Sequence, residues 1–339
     1  MTTHSPSVQT QFYKATLDQP LVSIIVEGYN ENHNTRAGIL TDTIEALRKQ
    51  EFPLDRVELV LTGDSTQVRG WQDKFLTWTE FYDIKTVVVE GHLWRARNLG
   101  AEAASGEILA FTDCDVCPQT TWLNAIVTGI QQGADVVVGP SLFHKNQRSD
   151  VPWLLAASAI SWGIVVGSPE KGKPRVVNCL GHNLAARSDV FKQYPYPDVQ
   201  RSFTAKLFFN NLVKAGKKID FQSGQKVHHD FTWQWWLLTQ RFRAGWEAYL
   251  IRQMDESCNY NRILALMTPI APLVSKVWHI CLDFPQWFRY ARAINLSLWK
   301  QLGFLPVVFV MSCIARGTEM VGMYAALIAP KQTEKWAKF

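Results

Sequence analysis

Short apolar runs alternate with helix-length amphipathic stretches over the first 140 positions of the chain. Residues 22–26 (VSIIV) form a nearly unbroken apolar run, the pattern of a strand covered on both faces. Residues 38–50 follow, with Ile39, Ile44 and Leu47 spaced along one helical face and the pattern ending before Pro53. Further strands are predicted at 57–61, 86–89, 108–112 and 135–138, with helical stretches between them. Strands that alternate with helices predict an α/β class, a mostly parallel sheet flanked by helices.

After Pro140 the alternation stops. Residues 151–169 carry no charge and predict a buried or interface-lying helix rather than a spanning one, because Pro, Ser, Ala and Gly dilute the apolar character. Residues 203–216 predict a helix closed by a glycine, and 218–221 a strand. Beyond Arg252, two long apolar stretches at 263–282 and 302–328, each interrupted by charge, predict a C-terminal hydrophobic helical tail. The expected organisation is a polar segment at 1–20, an α/β domain at 21–252 and the tail at 253–339.

Composition sharpens this picture in two places. Charged residues are only 19% of the chain and tryptophans number 14, so large apolar surface is expected outside the core. From Arg241 onward twelve basic residues face six acidic ones, which places the cationic surplus in the tail. Helices in the membrane interface are therefore expected there, with Trp278, Trp287 and Trp299 at headgroup depth and Arg289, Arg292 and Lys300 toward anionic lipid. Residues 1–20 are polar and lack the apolar core of a secretory signal, so the catalytic part is expected at the cytoplasmic side of the membrane, held peripherally. No nucleic-acid partner is expected. Of six cysteines only Cys114 and Cys117 have CxxC spacing, and one such pair predicts neither a disulfide scaffold nor a zinc site.

Open α/β sheets bind ligands at the carboxyl ends of their strands, so the chemistry is expected in the loops there. Three stand out: Glu27-Gly28-Tyr29-Asn30-Glu31, Thr62-Gly63-Asp64-Ser65-Thr66 and Asp113-Cys114-Asp115. In extended backbone, residues i and i+2 point the same way, so Asp113 and Asp115 are expected to converge, as exposed strand-end carboxylates, on a hard divalent cation carrying a diphosphate.

These residues resemble the family-two glycosyltransferases of GT-A fold. The resemblance rests on Ser23 to Val26 with Tyr29-Asn30-Glu31, on Asp64-Ser65-Thr66, and above all on the run from Arg95 to Asp115 (RARNLGAEAASGEILAFTDCD). Gly181-His182-Asn183 and Val227-His228-His229 are similar to that family's acceptor-pocket and terminal histidine segments. The resemblance implies an inverting transfer of a sugar from a nucleoside diphosphate donor, UDP- or GDP-linked, to a glycan or lipid-linked acceptor, with Mn²⁺ or Mg²⁺ as cofactor. It further implies that Tyr29, Glu31 and Asp64 hold the base, that Arg95 and Arg97 lie near ribose and phosphates, that His182 and Asn183 shape the sugar pocket, and that Asp113, Asp115 and His229 serve ribose and metal.

The chain departs from that family at the catalytic base. The family's Glu-Asp pair, about a dozen residues before the glycine matching Gly216, falls here on Thr204-Ala205. Asp198 is the nearest replacement carboxylate. Because no acid stands at 204–205, a catalytically silent nucleotide-sugar-binding or scaffold protein of a glycan assembly complex is the alternative reading. Ala244, in place of the tryptophan of the QxxRW element, disfavours processive polymerisation.

Overall fold

The computed structural model describes residues 20–28, 39–75, 77–90, 93–144, 150–162, 165–167, 174–176, 178–198, 203–230, 236–254 and 269–329. Its centre is a seven-stranded sheet built from β1 (Val22–Glu27), β2 (Val57–Gly63), β3 (Asp83–Val88), β4 (Ile108–Asp113), β6 (Val136–Val138), β10 (Leu184–Arg187) and β11 (Ile219–Phe221). The order is β11-β6-β10-β4-β1-β2-β3, parallel except for β10, which runs antiparallel to both β4 and β6. All the residues of β1, β2 and β4 are buried, as their apolar runs predict. β3 starts three residues earlier than its apolar run, because an edge strand can carry Asp83 and Lys85 without burying them.

Successive side chains point to opposite faces and seed two cores. On one face Val22, Ile24, Val26, Leu59 and Leu61 pack under α1 (Ile39–Arg48), α2 (Ser65–Phe75) and α4 (Trp122–Gln131). On the other, Ile25, Val60, Leu109 and Phe111 pack under α3 (Leu93–Ala103), α6 (Ser188–Gln193) and α7 (Thr204–Lys214). Gly100 makes the close approach of α3 possible, since a Cβ there would stand 2.7 Å from Ile25 Cγ2 and 2.8 Å from Thr62 Cγ2. α7 ends as expected at Gly216, in the left-handed region at φ +68°.

A second, three-stranded sheet stands at the carboxyl edge of the first: β5 (Val116–Pro118), β12 (Val227–Asp230) and β7 (Ser141–His144) in the order β5-β12-β7. The strands β8 (Val165–Gly167) and β9 (Pro174–Val176) pair antiparallel. α5 (Pro152–Trp162) is the uncharged helix expected near 151–169, and Leu154 to Ile160 are all buried.

The tail comprises α9 (Ala271–Ala293), α10 (Leu298–Gly303) and α11 (Leu305–Ile328), preceded by α8 (Arg241–Met254). It packs on the α/β part: one cluster joins Leu142, Phe143 and α5 to Trp236, Trp287, Tyr290, Val308 and Ala315. That cluster straddles residue 252, where the domain boundary was expected. α8 crosses α11 closely, since a Cβ on Gly245 would meet the Glu319 carbonyl at 1.9 Å and one on Gly322 the Phe242 carbonyl at 2.1 Å.

One tail expectation is corrected. Trp287 is fully buried and donates its Nε1 hydrogen to the Gln301 carbonyl at 2.9 Å, so it is not at headgroup depth. Lys276, Arg316 and Glu319, the charges that interrupt the apolar stretches, face inward. Glu319 accepts from Lys276 Nζ at 2.8 Å and Arg316 Nη1 at 2.9 Å and lies 3.0 Å from Arg241 Nη1, while Arg316 also bonds Asp283. Removing one partner from such a cluster strands buried charge at a cost of about 3–5 kcal/mol. Glu319→Gln is therefore expected to lower the unfolding free energy by about that amount in urea titration. A loss below about 1 kcal/mol would show that water reaches these cations.

Candidate functional site

The site forms where β1 and β4 end side by side, with Glu27 in register with Asp113. Cys114 follows with its side chain buried in the first core, so the alternation that was expected does bring Asp113 and Asp115 to one side. Both are buried, at 7% and 3% exposure, rather than exposed strand-end groups as expected. The physical reason is α3. The Arg97 guanidinium, 2% exposed, bonds directly to Asp113 and lies 3.7 Å from Glu27, with its carbon 4.6 Å from the Trp94 ring centroid. Burial alone would pull Arg97 down, but the Asp113 and Glu27 carboxylates override it and hold the guanidinium above its usual pKa. Burial likewise pushes Asp113 up, and Arg97 first, then His182 and His229, bring it below the usual carboxylate range.

Two histidines close the site. In β12, His229 sits opposite Val116 of β5 and brings Nε2 to 3.8 Å from Asp115 Oδ1. Its neighbour His228 points the other way, within 2.9 Å of Gln119 Nε2. His182 lies just before β10 with Nε2 2.9 Å from Ser141 Oγ, and its ring is 5.0 Å from that of His229. Burial, then the nearby His229, lowers His182 to about 3, so its imidazole is neutral at pH 7. Trp162 stacks on His229 at 5.3 Å and meets His182 edge-on at 5.2 Å.

Asp113, His182 and His229 offer ligand atoms that all lie within 4.8 Å of one another. The direct bond to Arg97 uses Asp113 Oδ1. One carboxylate and two imidazoles fit a first-row transition ion better than Mg²⁺, which favours oxygen donors and keeps its waters. His182, which the resemblance places at the sugar pocket, thus also stands with the candidate ligand group.

The other expected site residues are distributed unevenly. Asp64 accepts from the backbone N–H groups of Thr66 and Gln67 at 2.8 and 2.9 Å, so it caps α2, and Gln67 Nε2 in turn donates to the Gly28 carbonyl at 2.7 Å. This ties the loop after β2 to the end of β1. Asn183 is fully buried and internally bonded: Nδ2 donates to the Gln225 carbonyl at 3.0 Å, and Oδ1 accepts from Trp122 Nε1 at 2.9 Å. Arg95 is exposed and sits about 200° round α3 from Arg97. Asp198 is exposed, two residues beyond Tyr196, whose backbone is held by Asn98 at 2.9 and 3.1 Å. Tyr29 and Glu31 lie outside the described residues. Thr204 and Ala205 begin α7 with buried side chains.

Sequence reasoning missed two contributors and left a third without a role. Glu27 was named in the first loop but given no part in the site. Ser141 and Trp162 carried no signal, because short strands and helix ends look alike in sequence.

A family model described as "Glycosyl transferase family 2" matches residues 23–195. The chain is 32% identical over 124 residues to "Glycosyltransferase AglE" of Haloferax volcanii, a match spanning 35% of this chain and 39% of that protein. It is 23% identical over 257 residues to the "Glucosyl-dolichyl phosphate glucuronosyltransferase" of the same organism, covering 69% of this chain and 77% of the relative. Among solved structures, a mannosyltransferase from Pyrobaculum calidifontis in complex with GDP-Man and Mn²⁺ superposes with a TM-score of 0.52 at 16% identity, over 92% of this chain and 88% of that one. That likeness concerns the fold, which is GT-A.

Proposed function

The chain belongs to glycosyl transferase family 2, and from that membership we propose that it is an inverting glycosyltransferase that moves a sugar from a nucleoside diphosphate donor to a lipid-linked or polysaccharide acceptor. The observation that carries this reading is the convergence of Arg97, Asp113, Asp115, His182 and His229 at the ends of β1, β4 and β12. A carboxylate and two imidazoles supply metal ligands beside a buried guanidinium, which is what a diphosphate needs. Asp113, His182 and His229 would hold a divalent ion such as Mn²⁺, and Asp115, expected from the sequence as a further ligand, stands 3.8 Å from His229 Nε2. When bound, that ion supplies Lewis-acid stabilisation to the departing diphosphate. Asp64, with Tyr29 and Glu31, is assigned to the base, and Arg95 to the donor's outer phosphate or ribose. Asp198 takes the proton from the attacking hydroxyl of the acceptor.

The test is binding and turnover across UDP- and GDP-sugars with Mn²⁺ or Mg²⁺. Donor binding that requires Mn²⁺ is expected. Metal-independent binding, or none with any donor, would overturn the reading, and binding without any turnover would favour the silent alternative.

We further propose that the tail holds the enzyme to the cytoplasmic face of a membrane. Among the described residues one helix, Leu305–Ile328, is long and apolar enough to cross a membrane. A flatter placement is supported by where the apolar groups lie. Leu273, Val277 and Trp278 on α9 and Phe309, Val310 and Ile314 on α11 are all exposed, while Lys276, Asp283, Arg316 and Glu319 of the same helices turn inward. Trp299, 82% exposed, stands beside Lys300 at the end of this apolar surface. Full-length protein is expected to float with anionic liposomes; protein left unbound without detergent would refute attachment.

A further inference from the structure

The tail reaches the site as well as a membrane. Tyr290 on α9 is buried, and its Oη donates to the Ser141 carbonyl at 2.6 Å, across 149 positions of sequence. Ser141 opens β7, and its own hydroxyl lies 2.9 Å from His182 Nε2, also buried. β7 is held a second time two residues on, where the Phe143 N–H donates to Ser158 Oγ of α5 at 2.8 Å. The same strand runs parallel to β12 with Phe143 in register with His229. An aromatic column repeats the connection: Trp236 meets Phe143 at 5.5 Å, Phe143 packs on Trp162 at 4.0 Å, and Trp162 stacks on His229.

We propose that Ser141 and Tyr290 are positioning residues for the histidine pair, forming a relay in which helix α9 fixes β7, β7 presents the Ser141 hydroxyl, and that hydroxyl sets the ring orientation and tautomer of His182. The partner of one ring nitrogen determines which nitrogen carries the proton, and hence which can meet a ligand. Hydrogen-bond partners of ligating histidines commonly change metal affinity 10- to 100-fold when removed. The relay thus makes the tail part of the site, in addition to any role at a membrane, and as regards metal it rests on the reading given above.

The experiment uses the full-length protein and two readouts: Mn²⁺ affinity by titration calorimetry, and the ¹⁵N shifts of the His182 ring in metal-free protein. Ser141→Ala is expected to weaken Mn²⁺ about 10- to 100-fold. Tyr290→Phe, which removes only the hydroxyl, should weaken it by roughly 3- to 10-fold, a smaller loss because it acts through Ser141. Both should shift the His182 tautomer. Glu319→Gln is the comparison, since it destabilises the tail without touching the relay and should leave affinity and tautomer alone. Unchanged His182 shifts in both variants overturn the relay whatever their stability. If the parent protein binds no Mn²⁺, the metal reading falls by itself, and the ¹⁵N shifts still decide whether Tyr290 and Ser141 position His182.

Discussion

Asp113→Ala is expected to cost about 3–5 kcal/mol of stability in addition to abolishing donor binding. The carboxylate bonds the guanidinium of Arg97, which is 2% exposed, and the next carboxylate, Glu27, is 3.7 Å away. Among the described residues, the buried cation then keeps the longer carboxylate contact to Glu27 and the Trp94 ring. The same change deletes the carboxylate of the candidate ligand set, so Mn²⁺ and the diphosphate lose a partner together. Urea titration and donor binding by calorimetry check the two halves separately. Asp115→Ala provides the contrast. Asp115 meets His229 at 3.8 Å, an imidazole rather than a permanent cation, so binding should fall with a much smaller loss of stability. An Asp113→Ala protein as stable as the parent would mean that Glu27 alone can neutralise Arg97.

Asp198→Asn is expected to leave donor binding intact and to lower turnover by about 10²- to 10⁴-fold, the range for loss of a general base. Asp198 is exposed, and the chain before it is fixed at Tyr196 by Asn98 on the same helix that carries Arg97. An acceptor hydroxyl would reach it from solvent. With Thr204 and Ala205 buried at the start of α7, the family's usual position offers no carboxylate. Full activity in Asp198→Asn would clear Asp198 of this role.

Legibility in the sequence followed burial on both faces. β1, β2 and β4 are central, so their residues had to be apolar throughout, and their runs stood out. β7, β10 and β12 have four residues each, and the order β6-β10-β4 is formed by a strand arriving from far along the chain. Nothing local announces such a strand, because its stability comes from neighbours distant in sequence. The site divides the same way. Asp113 and Asp115 were visible from their i, i+2 spacing, but their burial was not, since it depends on partners from elsewhere in the chain, Arg97 of α3 beside Asp113 and His229 of β12 beside Asp115. That the charges interrupting the tail face inward was not legible for a similar reason: Lys276 and Glu319 are 43 positions apart and meet only once α9 and α11 pack together.

The hydrophobic cluster shared by α5, Trp236, α9 and α11 bears on how the protein can be handled. Trimming a hydrophobic tail at residue 252 to obtain a water-soluble fragment would strip the cover from Leu142, Phe143, Leu155 and Ala159 and uncouple β7 from Tyr290. Such a fragment would present a raw apolar wound beside the histidines and aggregate through it. Enzymology therefore calls for the chain with its tail, and inactivity of a shortened version would say nothing about the native catalyst.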